Sequence, residues 1–282
     1  MAKKKITHIV YSILPKSLKL IADKRSFNKN EQNYLKYNDI GMLKQKPRYI
    51  KGVVNFKQHQ LQYMDSASLL FIYDEVFNKQ IYNFKCKSKA PVIIDAGANI
   101  GLSVIYFKML YPEAKITAFE PDDEVFETLK NNVASFGFSD VNLIKKGLWS
   151  EETELTFNSE GADAGRISNE TNTTKVTKIA TAKLSNYLKN NKIDLLKIDI
   201  EGAEFEVLKE CKDYLGNVEK LFVEYHSFIG KKQELSEIIA FITMAGLRII
   251  NINVPGLSVD SPFNDMNNYG GMDLQLNIYA TR

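Results

Sequence analysis

Four stretches of this 282-residue chain place glycine or polar residues where a ligand and reactive groups could meet. The first, Val92-Ile93-Ile94-Asp95-Ala96-Gly97-Ala98-Asn99-Ile100-Gly101, runs from an apolar strand through a glycine turn into a helix. Backbone N–H groups at such a helix start face whatever lies across the strand ends, which suits a nucleotide-type ligand. Glycines at 97 and 101 with Asn99 between them do not spell G-x-G-x-x-G, so NAD is the weaker cofactor. The second stretch, Lys115 to Pro121, closes its strand with Glu120. A carboxylate at the tip of the second strand can accept both hydroxyls of a ribose. Turn and acid on successive strands are far more specific together than either is alone, the plainer alternative being a tight turn followed by a helix-start acid.

The third stretch is Ile193-Asp194-Leu195-Leu196-Lys197-Ile198-Asp199-Ile200-Glu201-Gly202-Ala203-Glu204. A buried parallel strand ought to be apolar throughout, yet Lys197 and Asp199 share one face of it, and charge buried without partners is costly. They either pair or serve a site. Asp199 and Glu201 stand at the strand's carboxyl end, where open α/β sheets bind ligands. A purely structural reading makes Lys197–Asp199 an ion pair, and Glu201 and Glu204 first-turn acids favoured by the helix dipole. The fourth stretch, Leu221-Phe222-Val223-Glu224-Tyr225-His226, puts Glu224 and His226 on the same side of the sheet. His226 is a candidate general base, since imidazole titrates near neutral pH; a histidine satisfied in the fold is the alternative. A divalent metal on Asp199, Glu201 and His226 is chemically conceivable, but nothing in the spacing singles it out, and no metal is expected.

Those stretches sit in an alternation of strand-length and helix-length patterns that begins after Lys85–Pro91. Strands are expected at 92–95, 115–120, 141–148, 194–199, 220–226 and 247–253, and helices at about 101–111, 123–135, 203–211 and 232–245. In the last helix Leu235, Ile238, Ile239 and Ile242 recur at i, i+3, i+4 and i+7, and Gly246 stops it. Repeated β-α-β units predict a parallel sheet covered by helices on both faces. Asp273 to Tyr279 alternates polar and apolar residues after Gly270-Gly271, as a closing antiparallel strand does. Asn158 to Lys175 lacks periodicity and reads as a loop, a candidate lid. Residues 1–84 read as an N-terminal α/β extension with strand-like pieces near 52–55 and 60–64, and 85–282 as the main domain.

Composition excludes several classes. Hydrophobic residues at 44% and charged residues at 25% describe a packed globule. No apolar run approaches the roughly 20 residues of a membrane-spanning helix, and no cleavable leader follows the basic start. Cys86 and Cys211 stand outside any C-x-x-C motif, which predicts neither disulfide nor metal knuckle and fits a reducing cytoplasm. Residues 1–60 carry 14 Lys/Arg against 3 Asp/Glu, while the whole chain has a net charge of +3. Such a basic head is a solvated surface or a contact for anionic glycan, membrane or nucleic acid, or a dimer element.

The three motifs D-A-G-A-N-I-G, F-E-P and L-K-I-D-I-E-G-A-E together resemble the FkbM family of S-adenosylmethionine-dependent methyltransferases over roughly residues 65–282. The resemblance implies a Rossmann-like seven-stranded α/β sheet, mostly parallel with the last strand antiparallel, and S-adenosylmethionine as cofactor. It implies that Asp95, Gly97, Asn99 and Gly101 surround the cofactor's methionine part and that Glu120 holds its ribose. Leu148 and Trp149 fall where such folds cover the adenine, and Asp199 and Glu201 face the reacting end. The expected reaction is in-line transfer of the sulfonium methyl to a hydroxyl, with His226 or Asp199 taking the proton. Relatives of this family act on hydroxyls of surface polysaccharides, glycolipids and macrolides, so the expected acceptor is a carbohydrate or small-molecule hydroxyl. Nucleic acid is disfavoured, because the chain has no Pro-Pro dipeptide with which to grip an exocyclic amine. A non-catalytic module that keeps the fold is the rival from another class.

Overall fold

The computed structural model describes residues 33–158, 166–167, 176–255, 263–264 and 271–282. The chain forms two compact units, Met1–Lys79 and Gln80–Arg282. The basic run at residues 1–32 lies outside the described residues, as does most of the candidate lid.

In the first unit, helix α1 (Tyr37–Leu43) precedes an antiparallel hairpin of β1 (Gly52–Phe56) and β2 (His59–Tyr63), then helix α2 (Ser66–Tyr73) runs on into a π-helical turn over Asp74–Asn78. Strand alternation buries Val54, Phe56, Leu61 and Tyr63. Tyr34, Phe56, Tyr73 and Phe77 form one aromatic cluster with centroids 4.7 to 5.9 Å apart. Asp65 caps α2, accepting the Ser68 N–H at 2.9 Å, and also accepts the Arg48 Nε–H.

The second unit is built on strands β3 (Val92–Ala96), β4 (Lys115–Phe119), β5 (Asn142–Ile144), β6 (Gly147–Leu148), β7 (Glu154–Asn158), β8 (Arg166–Ile167), β9 (Val176–Ala182), β10 (Leu195–Ile198), β11 (Lys220–Phe228), β12 (Arg248–Asn253) and β13 (Met272–Thr281). Its helices are α3 (Leu102–Leu110), α4 (Asp123–Ser135), α5 (Ser185–Leu188), α6 (Glu204–Cys211) and α7 (Leu235–Met244). The main sheet has seven strands in the order β12-β13-β11-β10-β3-β4-β5, and β13 alone runs antiparallel to its neighbours. That is the expected Rossmann-like sheet. One face is apolar: Ile94, Ile198, Leu221, Val223 and Ile278 pack with Val207 and Leu208 of α6 and Ile238 and Ile242 of α7. The other face carries Phe222 between Tyr82 and Tyr279, and Tyr82 reaches Phe107 of α3.

The structure departs from the sequence reading between residues 141 and 188, where β7, β9 and α5 are further elements. The run 141–148 is not one strand: Lys146 N–H donates back to Ile144 O at 3.0 Å, so β5 ends there and Gly147–Leu148 joins a second, four-stranded sheet, β6-β9-β7-β8. Within the segment read as a loop, Arg166–Ile167 pairs with Phe157–Asn158. No helix among the described residues is long and apolar enough to cross a membrane.

Candidate active site

The turn after β3 is shaped by close approach. Gly97 has φ +86°, and a Cβ there would collide with the carbonyl oxygen of Asp199, so the glycine lets the ends of β3 and β10 come together. Its N–H and that of Ala98 both donate to Phe119 O, at 3.1 and 2.8 Å, while its carbonyl accepts the Lys197 ammonium at 2.7 Å. Asn99 follows with φ 49°, a left-handed conformation that asparagine tolerates better than most residues. Its side-chain oxygen accepts the Ile100 N–H at 2.6 Å. Gly101, with φ +93°, opens α3, and a Cβ there would meet Leu129 of α4 at 2.7 Å. The positive φ, more than the contact with the flexible end of the Leu129 side chain, calls for glycine at 101.

Glu120 is anchored at the tip of β4. One carboxylate oxygen accepts the Asn99 N–H and the other the Asp122 N–H, both at 3.0 Å. Burial raises its pKa to about 7; the repelling charge of Asp122 adds to the rise, and the two N–H bonds oppose it. Asp95, by contrast, is wholly enclosed. Its carboxylate accepts the Ser103 hydroxyl at 2.5 Å and pairs with Lys197 at 3.1 Å, so it supports the turn from beneath and has little left for a ligand.

The face read as charged in the sequence is a continuous polar stripe. Register pairs Lys197 with Asp95 on one side, and Glu224 and His226 with Asn277 and Gln275 on the other. Lys197 lies 3.4 Å from Asp199, and the carboxylates of Asp95 and Asp199 hold its pKa above the usual lysine range despite burial. Beyond β10, Glu201 (φ 55°) and Gly202 (φ +98°) turn the chain into α6. Glu204 Oε1 accepts the N–H groups of Ile200 and Gly202 at 3.2 and 3.0 Å and meets His226 Nδ1 at 3.1 Å. His226 Nε2 faces Glu224 at 3.5 Å and Glu201 at 3.7 Å, and Gln275 donates to Glu224.

Burial alone would depress the His226 pKa; the charges of Glu201 and Glu204 outweigh it and hold the pKa well above the usual range. Burial pushes Glu201 up to about 8 against the pull of His226, and lifts Asp199, whose rise the Glu224 charge reinforces. The side chain of His226 is 1% exposed, whereas those of Asp199 and Glu201 are each 24% exposed. The two acids thus form the rim of the cluster and the imidazole its floor.

Gly97, Asn99, Glu120, Asp199, Glu201 and His226 therefore gather toward the carboxyl ends of four adjacent strands, β11, β10, β3 and β4. Leu148 does not join them: its side chain is packed in the apolar core with Phe119 and Ala182, and half-buried Trp149 donates its N–H to Ala182 O. Sequence reasoning took Glu204 only as a dipole-favoured acid, and passed over Ser103, Gln275 and Asn277. Period-two alternation in Asp273–Tyr279 was the available signal for the last two, since it places polar residues beside a charged strand.

The sequence model for the methyltransferase FkbM domain matches residues 95–249. The chain belongs to the FkbM methyltransferase family. With membership comes methyltransferase activity. Methyltransferase sdnD of Sordaria araneosa is 32% identical over 174 residues, spanning 49% of this chain and 67% of its own. The hexuronic acid methyltransferase AglP of Haloferax volcanii is 29% identical over 144 residues, 50% of this chain and 58% of its own. The crystal structure of methyltransferase FkbM from Methylobacillus flagellatus KT aligns with a TM-score of 0.46 and 16% identity, covering 70% of this chain and 45% of that one.

Proposed function

We propose that this chain transfers a methyl group from S-adenosylmethionine to a hydroxyl of a sugar. The observation that carries the reading is the pairing of the Gly97–Asn99 turn with Glu120: glycine at 97 lets the turn pass tightly against the Asp199 carbonyl, and the Glu120 carboxylate is pinned by the N–H groups of Asn99 and Asp122. A carboxylate so fixed fits a ribose, because vicinal hydroxyls donate to its two oxygens. The bound cofactor supplies a methyl group made electrophilic by its sulfonium.

The residues at the other end of the crevice act on the acceptor. Asp199 and Glu201, the partly exposed members of the cluster, touch it and orient its hydroxyl, and Asp199 takes its proton. His226, with a side chain 1% exposed, sits behind Glu201 and in this reading acts through it as a positioning residue, in place of the role of direct base expected from the sequence. Lys197 fixes Asp199 from behind and, through Gly97 O, ties the acids to the cofactor turn. A sugar acceptor is supported by the similarity to a hexuronic acid methyltransferase.

The test is to incubate the purified chain with S-adenosylmethionine and a panel of sugars, uronic acids and small aliphatic alcohols, and to measure S-adenosylhomocysteine release and the mass gain of the acceptor. Gain of one methyl on a sugar oxygen is expected. Stabilisation by NAD in place of S-adenosylmethionine, or methylation only of non-sugar acceptors, overturns the reading.

A further inference from the structure

Toward the carboxyl ends of β3, β10 and β11 the chain gathers more carboxyl groups than cationic side chains. Asp95, Asp199, Glu201, Glu204 and Glu224 share two cationic neighbours, Lys197 and His226. Lys197 is closer to Asp95, at 3.1 Å, than to Asp199, at 3.4 Å. Enclosed carboxylates are costly unless paired or completed by a cation.

Within this group an oxygen of Asp199, an oxygen of Glu224 and an imidazole nitrogen of His226 all lie within 4.8 Å of one another, a spacing that one ion can draw together. The imidazole is held in place, and an ion binding at Nε2 displaces the proton there. Its Nδ1 faces Glu204 Oε1 at 3.1 Å, which fixes the ring and turns Nε2 toward Glu224 at 3.5 Å. A carboxylate behind the ring is what orients metal-binding histidines and raises their basicity. An independent observation comes from β13. Asn277, 1% exposed and paired in register with Glu224, has an amide oxygen without a hydrogen-bond partner among the described residues. Cross-strand pairing puts it on the face that Glu224 and His226 share. A buried amide oxygen without a donor has its lone pairs free for a ligand.

We propose that Asp199, Glu224 and His226 bind one divalent metal ion, with the Asn277 amide oxygen contributing a fourth protein donor. Glu204 orients the imidazole and Gln275 the Glu224 carboxylate. Two carboxylates, an amide oxygen and one imidazole make an oxygen-rich donor set that suits Mg2+ or Mn2+. The partly exposed Asp199 gives the ion its way in. Binding depends on these side chains alone; its use, acidifying a hydroxyl bound to the ion, rests on the methyl-transfer reading above.

The experiment adds Mn2+ alone to the purified full chain, without cofactor or acceptor, and follows it by electron paramagnetic resonance. Saturable binding of one ion per chain is expected, with spin-echo modulation from a directly bound imidazole nitrogen. His226→Gln should remove that nitrogen signal, and Asp199→Asn should weaken binding by at least about tenfold. Glu113→Gln, an exposed acid outside the cluster, should bind as the parent does. Absence of saturable binding, or a bound ion with no nitrogen signal, overturns the proposal. The nitrogen signal of the parent chain needs no substitution, so a misfolded variant does not decide the outcome. Mn2+ binding without sugar methylation would overturn the enzymatic reading and leave this one standing.

Discussion

Glu204 and His226, on α6 and β11, meet at 3.1 Å through the same carboxylate oxygen that accepts the N–H groups of Ile200 and Gly202. One acid therefore holds together the turn after β10, the start of α6 and the imidazole. Glu204→Ala strips all three groups of their acceptor in a buried place, which should lower stability by at least about 2 kcal/mol. Glu204→Gln, which keeps an acceptor oxygen, should lose less. Urea titration of the three proteins checks the order; equal midpoints for Glu204→Ala and the parent would remove Glu204 from this role.

Lys197 and Asp95 are both almost fully enclosed, so their pairing stabilises chiefly by preventing an isolated buried charge. Lys197→Met leaves Asp95 and Asp199 without their countercharge and should cost about 3–5 kcal/mol. In the double variant with Asp95→Asn the penalty should fall well short of the sum of the singles, because one substitution removes the reason for the other's cost. A double-mutant cycle by chemical denaturation measures the coupling, and simple additivity would mean the two do not depend on each other.

Much of this was legible in the sequence, for physical reasons. The parallel sheet follows from apolar runs such as Val92–Ile94 alternating with helices whose faces repeat at 3.6 residues, a pattern with few other solutions. Lys197 and Asp199 announced themselves because charge in a buried strand demands partners, and both partners proved to lie on one face. The sequence could not show that Asp95 turns inward to Lys197, since that contact joins residues 102 positions apart and depends on strand register. Nor could it separate Ile144 from Gly147, where a backbone bond over two residues ends one strand and the chain passes to a second sheet. Asn277 and Gln275 became visible only once β13 was paired with β11.

Gly97 and Gly137 separate two costs of adding a side chain at positive φ. Gly137, with φ +75°, has open space around its absent Cβ, so Gly137→Ala should cost only the backbone strain, about 1 kcal/mol. Gly97→Ala meets the same strain and also drives a methyl into the Asp199 carbonyl, which must move away from β3. It should abolish cofactor binding as well as destabilise. Calorimetric titration with S-adenosylmethionine on both variants tells them apart, and retention of parent-like affinity by Gly97→Ala would show that the turn does not shape the cofactor site.

Glu120 predicts the pH dependence of cofactor binding. Burial raises its pKa from 4.5 to about 7, so without a ligand the folded chain holds a proton there that the unfolded chain has lost. The sign follows: this group favours folding fully below pH 4.5, and that contribution is lost as pH rises through about 7. Ribose hydroxyls donate hydrogen bonds, so the cofactor favours the ionised carboxylate and must displace the proton at acid pH. Affinity for S-adenosylmethionine should therefore be level above pH 8 and fall below pH 7, approaching tenfold per pH unit for a single proton. Glu120→Gln should bind weakly at all pH values and show no such slope. Titrations between pH 5.5 and 8.5 compare the two proteins, and a parallel slope in the variant would assign the proton to another group and take Glu120 out of the ribose site.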